Sequence, residues 1–421
     1  MASQTAVATD IDYLEKYNLP KHLPETAAEL LISDRNIGPD QLNAVAIAIF
    51  QTEVNLKGLT VVENGRPIGL INRNDFFATF AKPFARELYL KRKCAEFMDA
   101  DPLIVDGNMQ ISEVGSLVAQ RGEKALADGF IITLDGKFHG LCDGIVLLRA
   151  LSELQDDQHR QLLSSIDYAS TIQSALLADS RAALDSSLNG KYALLWEPRD
   201  TVGGDCFFAK RDDHGILIGA IDCTGHGVPG ALLTSIAISE SNRLAFDPAN
   251  RHSPAAMING LNRRVKAALQ QEDGADIENL RADDGMDAVF VYIDQTEQVI
   301  KIASAKLPVF LFDPAGHLVT IKGNRKGVGY RETPIDFTWD EHVFKRDAVA
   351  RVVIATDGLC DKIGEARQIA FGWNRIRDAL SAGFAIPIEQ QCNMLWDRFL
   401  AYQGKQMRRD DVTVICLDVT N

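Results

Sequence analysis

The sequence predicts a mixed α/β (α+β) protein in which sheets are sandwiched between helices. From Lys191 to the C-terminus, strand-like segments gather in the middle of the region and helical segments come in pairs. Upstream of this region, a strand-turn-strand motif occurs twice and is followed by one polar-amphipathic helix. These observations divide the chain into an N-terminal repeat, a linker helix and a larger C-terminal domain.

Length and charge restrict the class of protein. At 421 residues, the chain is long enough for two or three domains that each bury a core. Its net charge of −14 argues against general nucleic-acid binding, because an acidic chain repels phosphates. No segment has the about 18 apolar residues of a membrane span, and the N-terminus lacks the features of a secretory signal. Seven scattered cysteines without a CxxC pair indicate a reducing compartment, so we expect a cytoplasmic protein with neither nucleic acid nor membrane as a partner.

The repeat comes first along the chain. Gly58 to Asn72 reads GLTVVENGRPIGLIN, and 71 residues later Gly129 to Asp143 reads GFIITLDGKFHGLCD. Glycines coincide at the first, eighth and twelfth places of the two segments. Each segment predicts two strands joined by a turn and then an amphipathic helix, at Asp75 to Phe80 and at Ile145 to Leu151. Two copies of one such unit usually pack face to face.

This pattern resembles a tandem pair of CBS domains covering about Glu25 to Glu153. The resemblance implies a possible adenine nucleotide, held through a hydroxyl residue followed three positions later by an aspartate that touches the ribose. The first copy has Asp75 at the acidic position but Asn72 at the hydroxyl position, and the second copy has Asp143 and Val146. A structural or dimerising pair without a nucleotide is therefore an equal alternative, and Asp75 could instead cap a helix.

The linker helix shows the spacing of a short coiled coil. Its seam residues follow one another at steps of three and four: Leu162, Ile166, Ala169, Gln173 and Leu176. The sequence leaves two alternatives open, pairing with a second copy of the chain or packing onto the following domain. We expect a homodimer through this helix, because a helix of this length is marginal without a partner.

The stretch IGAIDCTGHGVPGAL, from Ile218 to Leu232, contains the first candidate for chemistry. An apolar strand ends on Asp222, a glycine-rich turn follows, and a helix is predicted to open at Pro229. The glycines of this stretch allow backbone to approach a ligand, and the helix N-terminus offers N–H groups to an anion: Gly225, Gly227 and Gly230. The pattern indicates either a metal–phosphate site or a tight structural turn.

Further aspartates favour the metal site. Each lies next to a strand-like run, where a sheet can hold a carboxylate in place: Asp205, Asp287, Asp357, Asp410 and Asp411. Several acids without clustered His or Cys are the ligand set of Mg²⁺ or Mn²⁺ rather than of zinc. Two such ions can activate water for in-line attack on phosphorus. The chain has no P-loop, so the commonest nucleotide-hydrolysis site lacks its residues.

Residues 166 to 419 resemble the PPM-type metal-dependent protein serine/threonine phosphatases (protein phosphatase 2C fold), in the SpoIIE-like bacterial branch. The resemblance rests on five segments that occur in the family's order: STIQSALL, VGGD at 202 to 205, DCTGHGVPGAL at 222 to 232, TDG at 356 to 358 and DDVT at 410 to 413. It implies a four-layer α-β-β-α sandwich with two divalent metal ions. It also implies that Asp222 bridges the ions, that Asp205 and the Cys223 carbonyl assist one, and that Asp357 and Asp410 hold the other.

The sequence departs from the family pattern at several positions. SAKLP at 304 to 308 stands where this branch often has an AGHNP-like segment, and no phosphate-gripping arginine is identifiable, since Arg199 lies one place off that spacing. Asp287 is predicted either to bind a third metal or to cap a strand start. His226 could protonate a leaving alkoxide, although a surface or capping role is the commoner one in a GHG turn.

The resemblance implies a phosphatase whose substrate is a small regulatory phosphoprotein of the anti-anti-sigma-like, partner-switch kind. We expect the N-terminal domain to gate the phosphatase through the linker helix. The alternative is a catalytically weak scaffold with the phosphatase fold that only binds the partner. We expect four regions: an extension at 1–24, a CBS-like tandem at 25–153, a linker helix at 154–185 and a phosphatase domain at 186–421.

Overall fold

A computed structural model describes residues 23–271, 283–364 and 369–420. The chain divides into two compact units, residues 1–162 and 163–421. The predicted N-terminal extension lies outside the described residues except for its last two positions. None of the helices in the described ranges combines the length and the apolar composition that a membrane-spanning helix needs.

The N-terminal unit contains the predicted repeat as two βαββ copies. The first copy comprises β1 (Asn36–Ile37), α1 (Asn43–Thr52), β2 (Gly58–Glu63) and β3 (Arg66–Asn72), followed by α2 (Arg73–Phe80) and α3 (Ala85–Tyr89). The second comprises β4 (Ile104–Asp106), α4 (Ile111–Arg121), α5 (Glu123–Asp128), β5 (Phe130–Leu134) and β6 (Lys137–Cys142), followed by α6 (Gly144–Leu188). Each copy forms a three-stranded sheet in which the first strand runs parallel to the second and the second antiparallel to the third.

The shared glycines have a structural reason. Both hairpins turn through two residues with positive φ, and the second of each pair is a glycine, Gly65 or Gly136. A Cβ on Gly69 would lie 2.8 Å from the carbonyl of Asp99, and one on Gly140 would lie 2.8 Å from the carbonyl of Ser33. Equivalent glycines therefore admit equivalent close contacts in both copies, which explains why they recur at an offset of 71 residues. The CBS assignment itself stays a proposal.

The helix α6 is a single 45-residue helix. Its first turns belong to the core of the N-terminal unit, through Val146 and Leu147, and its last turns belong to the core of the C-terminal unit, through Leu184 and Leu188. Its length exceeds the predicted linker of 154–185, because the helix of the second repeat and the linker form one uninterrupted element.

The C-terminal unit contains two five-stranded antiparallel sheets. The first has the order β14-β11-β10-β9-β8 and the second the order β13-β12-β15-β16-β7. The strands are β7 (Tyr192–Glu197), β8 (Asp205–Arg211), β9 (Gly215–Cys223), β10 (Met286–Asp294), β11 (Val299–Ala305), β12 (Val309–Phe312), β13 (Leu318–Ile321), β14 (His342–Lys345), β15 (Arg351–Ala355) and β16 (Val412–Asp418). The helices are α7 (Gly227–Leu244), α8 (Pro248–Arg251), α9 (Pro254–Ala268), α10 (Gly372–Ala382) and α11 (Ile388–Gln403).

The two sheets stack between two helical layers. Along β15, Val352 and Ile354 lie in the core shared with the first sheet, whereas Val353 and Ala355 lie in the core shared with α10 and α11. The helices α7 and α9 contribute to the first of these cores, on the first sheet. The predicted four-layer α-β-β-α sandwich is therefore confirmed.

Candidate active site

Three carboxylates form a row across the first sheet. Asp205 on β8 lies directly opposite Asp222 on β9, and Asp222 lies directly opposite Asp287 on β10. Directly opposed residues on antiparallel strands project from the same face. The register of three strands therefore places three acids side by side at one edge of the sheet.

The second sheet supplies acids at the same place. Asp357 follows β15, and Asp410 lies two residues before β16. The Thr356 hydroxyl donates a hydrogen bond of 2.7 Å to Asp205 Oδ2, which joins the two sheets at the site. A hydrogen bond from the Thr413 N–H, 2.9 Å long, holds the Thr356 hydroxyl from the other side.

The two adjacent aspartates before β16 have different roles. Asp411 is buried and accepts hydrogen bonds from the backbone N–H groups of Arg199, at 2.5 Å, and Gly204, at 2.6 Å. Its two oxygens thus anchor the loop that leads to Asp205. Asp410 is exposed and accepts one hydrogen bond from the Asp411 N–H, which leaves carboxylate oxygens for a ligand. This geometry agrees with the choice of Asp410, rather than Asp411, as a candidate ligand.

The pKa values show how closely these acids interact. Burial raises the pKa of Asp222, and the negative charges of Asp205, Asp357 and Asp410 raise it further. Burial also raises the pKa of Asp205 and of Asp357, and a hydrogen bond to Asp222 opposes the shift at Asp357. For Asp287, burial raises the pKa to about 6 although the Lys306 ammonium acts in the opposite direction. The cluster therefore lacks enough positive charge to balance its ionised form.

This donor set fits hard divalent cations. The donors are carboxylates, and three of them lie side by side on neighbouring strands. As placed, no three His, Cys, Asp or Glu side chains of the described chain converge as a finished metal site. A bound cation would offset the mutual repulsion of these carboxylates. The residues supply the ligand chemistry for Mg²⁺ or Mn²⁺, while the number and identity of the ions stay a proposal.

The glycine-rich turn brings backbone against backbone. Gly225 and Gly227 have φ values of +81° and +63°, which favour glycine. A Cβ on Gly204 would lie 2.2 Å from the Gly225 carbonyl and 2.9 Å from the Cys223 carbonyl, and one on Gly230 would lie 2.5 Å from the Gly225 carbonyl. Glycines therefore hold the Cys223 carbonyl beside the segment that precedes Asp205. The helix α7 begins at Gly227 rather than at Pro229, two residues before the predicted opening.

His226 belongs to a small polar network. It occupies the N-cap position of α7 without capping through its side chain. Its Nδ1 lies 3.0 Å from Asp200 Oδ2, and its Nε2 lies 2.6 Å from Arg199 Nη1. Arg199 Nη1 also donates to the Arg409 carbonyl at 3.0 Å. Since arginine can only donate, Nε2 accepts and Nδ1 carries the proton. His226 is thus placed to orient Arg199, a relation that the sequence spacing did not indicate.

Gln173 is a further site residue that sequence reasoning placed elsewhere. Its Nε2 donates to the Gly203 carbonyl at 2.7 Å and to the Thr234 hydroxyl at 2.9 Å, and its Oε1 accepts from the Gly203 N–H at 3.3 Å. Only 2% of Gln173 is exposed. Within the C-terminal unit, the helix therefore packs onto the α-β-β-α sandwich at this position, which agrees with the second alternative given for the seam. The sequence signal for this contact was the polar amide of Gln173 among otherwise apolar seam residues.

Asp287 forms an ion pair with a lysine side chain. The Lys306 ammonium lies 3.2 Å from Asp287 Oδ1 and 4.4 Å from the centre of the Tyr330 ring. Lys306 has a φ of +65°, an uncommon conformation for a residue with a side chain. This lysine is the central residue of SAKLP, the segment in which the sequence departs from the family pattern. The structure thus gives Asp287 an ion pair.

The candidate nucleotide residue Asp75 lies in the first turn of α2. The cap of this helix is Asn72, whose Oδ1 accepts from the N–H groups of Asn74 and Asp75 at 2.7 and 3.1 Å. The Asn72 amide also donates to Asp128 at 2.6 Å. Burial raises the pKa of Asp128, and the nearby charge of Asp75 raises it further. The capping role proposed for Asp75 therefore belongs to Asn72.

Comparisons with known proteins agree with this geometry. Residues 212–420 match the family described as Stage II sporulation protein E (SpoIIE). The SiaA-PP2C domain of Pseudomonas aeruginosa is 29% identical, covers 62% of this chain and 98% of its own, and superposes with a TM-score of 0.53. The PP2C domain of SpoIIE from Bacillus subtilis with a regulatory fragment is 11% identical, covering 54% and 61% of the two chains at a TM-score of 0.41. No curated protein matches the sequence. Residues 212–420 of this chain therefore form a PP2C-type protein serine/threonine phosphatase domain of the SpoIIE kind.

Proposed function

We propose that this phosphatase uses two divalent metal ions, Mn²⁺ or Mg²⁺. The observation that carries this proposal is the row of Asp205, Asp222 and Asp287 next to Asp357, with the two sheets joined by the Thr356 hydrogen bond. In this proposal, Asp222 would be a ligand of both ions, since it lies between Asp205 and Asp287 in the row and the charges of the other site acids act on it. The ligands of one ion are completed by Asp205 and the Cys223 carbonyl, and those of the other by Asp357 and Asp410.

In this proposal, residues of the chain hold the metal ligands in place. When bound, the ions would supply an activated water and neutralise the phosphoryl oxygens, so that no covalent enzyme intermediate is required. Thr356 and Asp411 fix the ligands and the loop around them through hydrogen bonds to Asp205 and Gly204. Arg199 Nη1 is held by His226 and by the Arg409 carbonyl, which favours an orienting role for His226 over that of a general acid.

Hydrolysis of para-nitrophenyl phosphate tests the metal proposal. We expect no turnover after chelation, recovery on addition of Mn²⁺ or Mg²⁺, and no recovery in Asp357→Asn, because that variant lacks one ligand charge. Turnover that survives chelation would contradict the proposal. Metal binding without turnover, together with retained binding of a phosphoprotein, would support the alternative of a catalytically weak scaffold.

The substrate is proposed to be a small regulatory phosphoprotein of the partner-switch kind, carrying phosphoserine or phosphothreonine. The support is the SpoIIE family match and the exposed position of Asp410 at the candidate site. Comparing such a phosphoprotein with small metabolite phosphates tests this. Efficient hydrolysis of the metabolites alone would refute it.

Gating through α6 and homodimer formation are proposed next. Gln173 supports gating, because movement of this helix would pull on Gly203, two residues before Asp205. Tyr168 and Ile172, spaced four residues apart, are 69% and 44% exposed and offer an apolar face to a second copy. Replacing both by glutamate should give monomers with altered activity. A double variant that stays dimeric and hydrolyses substrate at an unchanged rate would show that this face takes no part in the mechanism.

The N-terminal unit is proposed as a CBS-like regulatory pair. Asp75 is the residue that would touch the ribose of an adenine nucleotide. The nearby cavity of about 180 Å³ has Arg121 and Lys124 in its lining, and these are paired with Asp101 and Asp99 at 2.8 Å each. Since both cations are already paired, a structural role without a nucleotide has the better support. Calorimetric titration with ATP and AMP, with Asp75→Ala as control, separates the two. A cytoplasmic location also remains a proposal, supported by seven unpaired cysteines.

A further inference from the structure

A groove of about 650 Å³ opens beside the acids of the candidate metal site. Asp287 and Asp357 lie in its lining, so a substrate bound at the site would extend into it. The groove also carries four cationic side chains: Lys306, Lys322, Arg325 and Arg377. Such a concentration is unexpected in a chain whose acidic residues outnumber its lysines and arginines by 58 to 44.

Three of these cations have no acidic partner. Lys322, Arg325 and Arg377 are exposed and form no ion pair within the described parts of the chain. The remaining acid of the lining besides Asp287 and Asp357 is Asp361. A cation that is not needed to balance a neighbouring carboxylate remains available to a ligand.

The groove wall has a fixed backbone. The Lys306 N–H donates to the Asn324 carbonyl at 2.8 Å, and the Asn324 N–H donates to the Ser304 carbonyl at 2.9 Å. A Cβ on Gly323 would lie 2.7 Å from the Ser304 hydroxyl and 2.8 Å from the Lys306 nitrogen, so glycine permits this contact. The segment that carries Lys322 and Arg325 is therefore held against the turn after β11.

The opposite wall comes from α10. Trp373 and Arg377 are four residues apart and therefore lie on one face of this helix. The Trp373 ring packs 6.0 Å from the ring of Phe310, which lies on β12. The side chain of Trp373 gives the groove an aromatic surface and offers a fluorescent reporter close to Arg377.

We propose that this groove binds acidic residues that flank the phosphorylated residue of the protein substrate. The inference rests on the proposed phosphatase function and adds a substrate class to it. Unpaired cations on two walls select negative side chains, while the metal site itself takes the phosphoryl group. Attraction of this kind acts on substrate selection and on the association rate more than on the chemical step.

Phosphoserine peptides of equal length test the proposal directly. One peptide carries glutamates on both sides of the phosphoserine, a second carries glutamines and a third carries lysines. We expect kcat/KM to fall by about tenfold from the first peptide to the second, and further for the third. Rising salt should reduce these differences, because exposed charges are screened.

Charge reversal in the groove provides the second measurement. Lys322→Glu combined with Arg325→Glu should abolish the preference for the acidic peptide, whereas hydrolysis of para-nitrophenyl phosphate should stay unchanged. The matched control is Lys345→Glu with Arg398→Glu, which alters the net charge equally at exposed positions outside the groove lining. Anisotropy of a labelled acidic phosphopeptide measures binding even where turnover is low.

Three outcomes would overturn the proposal. The first is equal kcat/KM values for the glutamate and glutamine peptides. The second is a groove variant that loses para-nitrophenyl phosphate hydrolysis in parallel with peptide hydrolysis. The third is a control variant that reduces the preference for the acidic peptide as much as the groove variant does. Failure of the underlying phosphatase function is distinguishable, because metal-dependent hydrolysis of para-nitrophenyl phosphate by the unaltered protein would then be absent as well.

Discussion

Gln173→Ala tests whether the long helix α6 stabilises the candidate metal site. The substitution removes both hydrogen bonds to Gly203 and the one to the Thr234 hydroxyl. The Thr234 hydroxyl keeps its bond to the Ala231 carbonyl, at 2.9 Å. The N–H and carbonyl of Gly203 therefore lose the partner that Gln173 provides.

The expected loss of stability follows from the N–H and the carbonyl of Gly203. A buried polar group without a partner costs about 1–3 kcal/mol, so the C-terminal unit should lose between about 2 and 6 kcal/mol of unfolding free energy, less where water enters. Gly203 is two residues from Asp205, and a Cβ at Gly203 would lie 2.7 Å from Asp411 Oδ1. Because the loop is packed this tightly around the ligands, we expect metal affinity to fall by about 10- to 100-fold, as for other residues that orient ligands.

Two assays separate stability from metal binding. Thermal unfolding of the metal-free protein measures the first, and calorimetric titration with Mn²⁺ measures the second. Ser174→Ala is the matched control, since Ser174 is the exposed neighbour of Gln173 on the same helix and alanine preserves the helix. A Gln173→Ala variant that melts earlier but binds Mn²⁺ within about threefold of the unaltered protein would refute the coupling between helix and site.

The remaining predictions concern the acids themselves. Asp222→Asn should reduce kcat for para-nitrophenyl phosphate by more than about tenfold with an unchanged circular dichroism spectrum, and activity within tenfold of the unaltered protein would contradict a bridging role. Lys306→Met should increase the number of Mn²⁺ ions bound per chain, as counted by native mass spectrometry, because Asp287 would no longer be paired with the lysine. An unchanged number of ions in the variant, or three ions in the unaltered protein, would contradict this. Burial raises the folded-state pKa of Asp287 to about 6, above its usual value, so the folded state binds more protons in this range. The melting temperature of the metal-free protein should therefore fall as pH rises from about 4 to about 7, and a rise would contradict the shift.

Local patterns predicted much of the fold and of the site. The period of the strands, the glycines of the hairpins and the positions of the acids at strand ends depend on residues close together in sequence, so they can be read from the chain. The row formed by Asp205, Asp222 and Asp287 depends on the pairing register of three strands. The sequence indicates that register only through the positions where the strands begin and end. The start of α7 at Gly227 differs from the prediction because proline is tolerated throughout the first turn, where its missing N–H costs nothing.

Contacts between distant residues could not be predicted in this way. Asp411 and Gly204 are separated by 207 positions, and nothing in DDVT indicates which of its two acids would bond to backbone. The ion pair between Lys306 and Asp287 depends on a positive φ at a residue that usually avoids it. Gln173 had the spacing of a coiled-coil seam, and only the tertiary structure shows that its amide bonds to Gly203.

The candidate site also joins the two sheets, which links catalysis to the stability of the fold. Thr356, from the second sheet, bonds to Asp205 of the first, and Asp411 bonds to Gly204, so the proposed ligand Asp205 and its supporting loop also connect the two sheets. Burial of those acids costs free energy as long as their charges are uncompensated. Cations bound at Asp222 would remove that cost and tighten the contact between the sheets. A regulatory movement that displaces the Gly203 loop would therefore act on ligand geometry and on local stability together, since both depend on the same hydrogen bonds.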